Sequence, residues 1–162
     1  MLPALLSGAC GSEPPPPPFL LRLQPVDVVQ AAVNRVEIVL RPGALGQAFA
    51  TQPDMDYEQG SAFSRVTGDG SFAIFLEQAY VTRHARPGGS SFVLDVPLYL
   101  ADTRGAETVA DPIVTATLLR REERIANGTR FLPWPLPPGG EATVMIACDR
   151  PAFARQCTNN DP

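Results

Sequence analysis

The sequence predicts an all-β domain, an antiparallel β-sandwich of the immunoglobulin-like kind with about seven to nine strands. Three observations carry that expectation. Apolar and polar residues alternate at period two in several short runs, Gly and Pro punctuate those runs, and no long stripe of helical period interrupts them. At 162 residues, 44% hydrophobic and 19% charged, the chain has the size and composition of one globular domain and argues against global disorder.

Taken in order, residues 1–10 read as the end of a truncated lipoprotein signal peptide, 11–19 as a proline-rich tether and 20–162 as a single β-sandwich domain. The stretch Leu6-Ser7-Gly8-Ala9-Cys10 resembles a lipobox, in which small side chains precede the cut and a free thiol takes a diacylglycerol. Leucine stands one position early, and no Arg or Lys precedes the box; an upstream start would account for the missing charge and the short apolar run. Beyond Cys10, Gly11, Ser12 and Glu13 are small or polar, and Pro14–Pro18 predict a polyproline II rod of about 15 Å. No run of 18 apolar residues occurs, so the expected relation to the membrane is anchorage at Cys10.

Within the domain, Val36, Ile38 and Leu40 share one face of a strand that Pro42-Gly43 stops. Residues 71–83 carry apolar side chains on both faces and predict a central strand after the turn Thr67-Gly68-Asp69-Gly70. In the next run Phe92, Leu94, Val96, Leu98 and Leu100 point inward, and Pro97, which cannot donate a ladder hydrogen bond, marks an edge or a bulge. The segment 112–126 can be written as a helix capped by Asp111 and Pro112 or as a hairpin. The β-branched Ile113, Val114, Thr115 and Thr117 favour the hairpin, with its turn at Arg121–Glu123. A last strand covers Thr143–Cys148, and weaker candidates lie at 26–30, 47–51 and 63–67. Asn127-Gly128-Thr129 matches a glycosylation sequon but is better explained as a glycine-containing turn.

Composition excludes several chemistries. All 13 basic residues are arginine, so Schiff-base lysines and a Walker-type phosphate lysine are missing from this chain. The net charge is −4 and no basic run exceeds Arg120-Arg121, which argues against nucleic-acid binding. His84 is the sole histidine, without a local nucleophile motif, and reads as an exposed loop residue. Asp54, Asp56 and Glu58 are weak calcium candidates: glycine falls at Gly60 and Arg65 occupies the place of the closing glutamate, so the EF-hand pattern fails. No cofactor is implied. Trp134, set among Pro133, Pro135, Pro137 and Pro138, is a candidate ligand contact, although a lone tryptophan more often packs over a domain end. Of the three cysteines, Cys148 and Cys157 are expected to pair as a disulfide, which leaves Cys10 for lipidation.

The lipobox-like start, proline tether, Trp-Pro segment and terminal cysteine pair together resemble small β-rich bacterial lipoproteins of GC-rich, myxobacteria-like proteobacteria. That resemblance implies a cell-envelope location, anchored to the outer membrane and facing the periplasm or the cell surface, and it supplies no catalytic residue. The function expected is therefore structural or binding, with the membrane and an envelope protein or glycan as partners. The competing expectation, from another class, is a small hydrolytic or carbohydrate-active module with a composite site around His84 and the Asp54–Glu58 loop.

Overall fold

In the structure, a computed structural model, the described residues are 17–41, 61–88, 91–99, 112–149 and 157–158. The opening segment with Cys10, the acidic loop with Asp54, Asp56 and Glu58, the candidate strand at 47–51, and Leu100 lie outside them. The described chain is all-β as expected. Its nine strands are β1 (Phe19–Val26), β2 (Arg35–Arg41), β3 (Ala62–Val66), β4 (Phe72–Glu77), β5 (Arg86–Gly88), β6 (Ser91–Leu98), β7 (Ile113–Arg120), β8 (Glu123–Phe131) and β9 (Glu141–Cys148). They form one mixed sheet in the order β3-β4-β2-β7-β8-β9-β1-β6-β5, curled into a half-barrel, where we expected two stacked antiparallel sheets.

The difference has a simple physical origin. Alternation requires only that one face of each strand be covered; a second sheet can cover it, or the same sheet can by rolling on itself. Here the inward residues of seven strands meet in one core: Leu21 and Leu23, Ile38 and Leu40, Phe72, Ile74 and Leu76, Leu94 and Val96, Val114 and Leu118, Ile125, and Val144 and Ile146. Each such aliphatic side chain contributes about 1.5–3 kcal/mol by leaving water.

β1 is one of the elements that the sequence pattern did not announce. Phe19, Leu21, Leu23 and Pro25 are buried and alternate with half-buried Leu20, Arg22, Gln24 and Val26. The strand begins directly after the proline run, at Phe19. β1 also makes the sheet mixed: it pairs antiparallel with β6 and parallel with β9, Leu20 to Val26 lying opposite Glu141 to Ala147. The weak strand at 26–30 is absent, and Gln30–Ala32 form a 3-10 turn that buries Ala32.

The presumed central strand over 71–83 is a strand followed by a helix. β4 stops at Glu77, and α1 (Gln78–His84) buries Tyr80 and Val81 and ends with basic Arg83 and His84, which suit a helix C-terminus. Helix α1 packs on β4 and β2 and also on β6. Because these strands stand toward opposite ends of the strand order, the helix bridges the gap that the incomplete barrel leaves.

The hairpin over 113–131 forms as preferred, with Arg120 opposite Glu123 and a two-residue turn at Arg121 and Glu122, both at positive φ (53° and 69°). Asn127-Gly128, read as a turn, instead lies inside β8, opposite Thr117 and Ala116 of β7. Glycine is required there because a Cβ would come within 2.1 Å of the Met145 carbonyl oxygen on β9. Pro97 takes the position expected of it. β5 pairs only with Ser91 to Val93, which leaves the outer side of the Pro97 half of β6 without a ladder partner in β5.

Candidate functional site

The half-barrel has two ends of different chemistry, and the pairing registers show which strand termini meet at each. At the first end lie Phe19 and Leu98, Phe131 and Ile113, Arg41, the β3–β4 turn, and Glu141. The proline-rich stretch 132–140, which joins β8 to β9, crosses this end. Leu132 and Leu136 turn inward and are buried, while Trp134 is half-buried against the core between them. A tight turn follows: Gly140 N–H donates to the Pro137 carbonyl at 2.9 Å, and Gly139 takes φ +73°. That turn grips the start of the domain, since Gly139 N–H donates to the Pro17 carbonyl at 3.3 Å and Leu20 N–H to the Gly140 carbonyl at 2.9 Å. The Trp-Pro segment is thus the seat on which the incoming proline run enters β1.

At the opposite end the chain is stapled. Cys148 and Cys157 form the expected disulfide, with Cα atoms 6.4 Å apart. Cys157 is fully buried, its carbonyl accepts from Val29 N–H at 2.8 Å, and its Sγ lies 3.4 Å from the Ile125 carbonyl oxygen. The bond therefore plugs the barrel where β1 and β9 end and β8 begins. Beside it Arg124 Nε pairs with Asp149 at 2.6 Å, and the Asp149 side chain is only 7% exposed.

His84 ends helix α1 at this same end. It is exposed as expected, but on a helix rather than in a loop, with its ring tilted over Tyr80 at 4.3 Å. The disulfide and His84 thus share one end, and Trp134 occupies the other. The composite site around His84 and the Asp54–Glu58 loop cannot be assembled from the described residues, which include only its histidine. Among the described residues no group of three metal-ligating side chains comes together, and no helix is long and apolar enough to cross a membrane.

The outer face of the sheet carries ion pairs that sequence reading missed. Arg22 Nε donates to Asp95 at 2.9 Å across the β1–β6 ladder, Arg86 from β5 reaches the other Asp95 oxygen at 2.8 Å, and Arg22 also approaches Glu141 at 3.6 Å. Burial pushes the Asp95 carboxyl up, but the hydrogen bonds from Arg22 and Arg86 outweigh it and hold its pKa below the ordinary value. The Arg22 guanidinium is correspondingly held above its own, first by that hydrogen bond and then by the charge of Asp95. Arg35 pairs with Glu77 at 3.1 Å, and the same bond raises its pKa. On the β3–β4 turn, the Thr67 hydroxyl and Ser71 N–H both donate to Asp69, and its pKa falls to about 2. All of these groups lock strands or turns.

No protein family, curated protein or solved structure matches this chain at a significant level. Its function is read from its own chemistry.

Proposed function

We propose that this chain is a lipid-anchored component of the bacterial cell envelope, a non-enzymatic half-barrel with a structural or binding role, attached to the outer membrane through Cys10. The observation that carries the proposal is the division of labour among the three cysteines. Cys148 and Cys157 are bonded across the buried end of the barrel, a bond that persists in an oxidising compartment such as the periplasm. Cys10 is then the one thiol with a separate fate, and it sits in a lipobox-like stretch ahead of the prolines that lead into β1. The chemistry on the surface supports the same reading. Among the described residues, the titratable groups with shifted pKa values serve as ladder and turn locks, where a catalytic site gathers such groups in a cleft. The outward side chains of the sheet, and with them an envelope protein or glycan, are the natural place to look for a binding role.

The test is the mass of the mature N-terminus after expression behind a complete export signal in a lipoprotein-processing bacterium. A chain that begins at Cys10 and carries a diacylglyceryl group is the expected result. An unmodified Cys10, or cleavage elsewhere, ends the proposal.

A further inference from the structure

The two ends of the half-barrel differ in what they show to solvent. Phe131 is 64% exposed and Tyr99 39% exposed, and both stand at the end where Pro17 enters. Between them runs the loop with half-buried Trp134 and the exposed Pro133, Pro135, Pro137 and Pro138. From β8 to β6 the sheet takes three inter-strand steps, so this aromatic and proline rim is about 14 Å wide along the sheet. The opposite end exposes Arg83, His84, Arg121, Glu122, Glu123 and Arg124. The remaining exposed large apolar side chains, Phe63 and Met145, belong to the outer face within strands, and Val66 borders the Asp69 turn.

We infer that the Phe131–Trp134–Tyr99 rim rests on the lipid surface to which the chain is tethered, as a second contact beside the anchor. The inference rests on the lipid-anchor reading given above. Chain length is what names the occupant. Seven residues separate Cys10 from Pro17, and a chain of that length spans at most about 25 Å fully extended. A strand of eight residues is itself about 26 Å long. The Pro17 end is therefore kept close to the bilayer, and it is the end that carries the aromatic rim.

Aromatic side chains with one polar edge favour the headgroup region, where the ring is partly dehydrated and its N–H or O–H stays wet. Prolines add apolar surface and present no backbone N–H to desolvate. Exposed Arg41 stands at this end to meet lipid phosphates, while the Arg130 guanidinium donates to the Thr143 carbonyl at 2.7 Å on the outer face. Asp69 and Glu141 are at this end too, exposed on the β3–β4 turn and at the start of β9, so the contact lies at headgroup depth, where carboxylates stay hydrated.

Trp134 is the single tryptophan and reports its own surroundings. With Cys148 and Cys157 bonded, Cys10 is the one thiol left for coupling in the full-length, unprocessed chain. The chain is coupled through Cys10 to a maleimide-headgroup lipid in vesicles of phosphatidylethanolamine and phosphatidylglycerol, with or without brominated phosphatidylcholine. The expected result is a loss of Trp134 emission on the brominated vesicles. That loss should shrink in the F131S/Y99S variant, which stays covalently attached. A C10S/T82C chain, coupled through the exposed far-end helix, should show none. Equal Trp134 emission on brominated and plain vesicles would overturn the inference. So would a concentration-dependent blue shift in vesicle-free solution without lipid quenching, which would assign the rim to a second copy of the chain. Because coupling is chemical, these outcomes are separate from whether cells acylate Cys10: a failure of acylation strikes the anchor, and a failure of quenching strikes the rim.

Discussion

Asp69 and Asp95 are residues whose protonation the fold opposes. Asp69 titrates at about 2 in the folded chain against an ordinary 3.8, because Thr67 and Ser71 hydrogen-bond its carboxylate. Asp95 is lowered as well, by Arg22 and Arg86 acting against its burial. As pH falls the unfolded chain takes up these protons first, so their contribution is whole above about pH 4 and is lost down to about pH 2. Urea midpoints of the full chain should therefore hold steady from neutral to mildly acid pH and then drop across that window. In D69N and D95N variants the drop should be shallower, and an unchanged profile would deny these two groups their role. Residue-level features were legible where arithmetic or chemistry was local. An odd cysteine count pointed to the pair at 148 and 157, and the missing partner motif around His84 matched an exposed side chain. The triad of Arg22, Asp95 and Arg86 was not legible, because 73 residues separate the first two and only the β1–β6 register brings them opposite. Gly128 was misread for a related reason. Asn-Gly is a turn signal by itself, and only the approach of Met145 from another strand shows why the glycine is there.

Single elements differ in how far their sequence argues for them. The β7–β8 hairpin was favoured by its β-branched run, yet its turn is chemically poor. Arg121 and Glu122 both occupy left-handed backbone conformations, which cost side-chain-bearing residues about 1 kcal/mol each. The Arg121 N–H that donates to Asn34 Oδ1 at 2.8 Å belongs to the backbone and survives substitution. Replacing the pair with Asn-Gly (R121N/E122G) should raise stability by about 1–2 kcal/mol. A higher urea midpoint at unchanged slope is the measurement, and a fall would show that the native side chains contribute more than the turn geometry costs. β2, β6 and β9 were readable because each has one buried and one open face. α1 was not, since a helix of seven residues has too few turns to display a period, and Phe, Tyr and Val around it favour strands. β1 was obscured by the prolines before it and by Pro25 within it, which read as tether and loop.

At the scale of the molecule, strand class and strand number were legible, and the manner of closure was not. A rolled sheet and a stacked pair of sheets place the same demand on each strand, and the deciding contacts, β1 with β9 and α1 across the gap, join distant parts of the chain. The disulfide is a contact of the same kind. It joins cysteines nine positions apart in sequence and holds Cys157 in the core, so reduction should cost about 2–3 kcal/mol on the chain-entropy argument. Urea midpoints of the full chain with and without reductant measure that cost, and the C148S/C157S variant should match the reduced protein. Coinciding midpoints would mean that the staple contributes nothing. The placement of β1 also orders events in time. Of the described strands β1 is synthesised first, and its two neighbours, β6 and β9, lie near residues 95 and 145, so it waits while the eight strands after it are made. A sheet that seats its opening strand last has a high contact order, and it folds in about milliseconds to seconds once the whole chain is free. A chain still emerging from a ribosome or a translocation pore therefore stays threadable at β1 until β9 arrives.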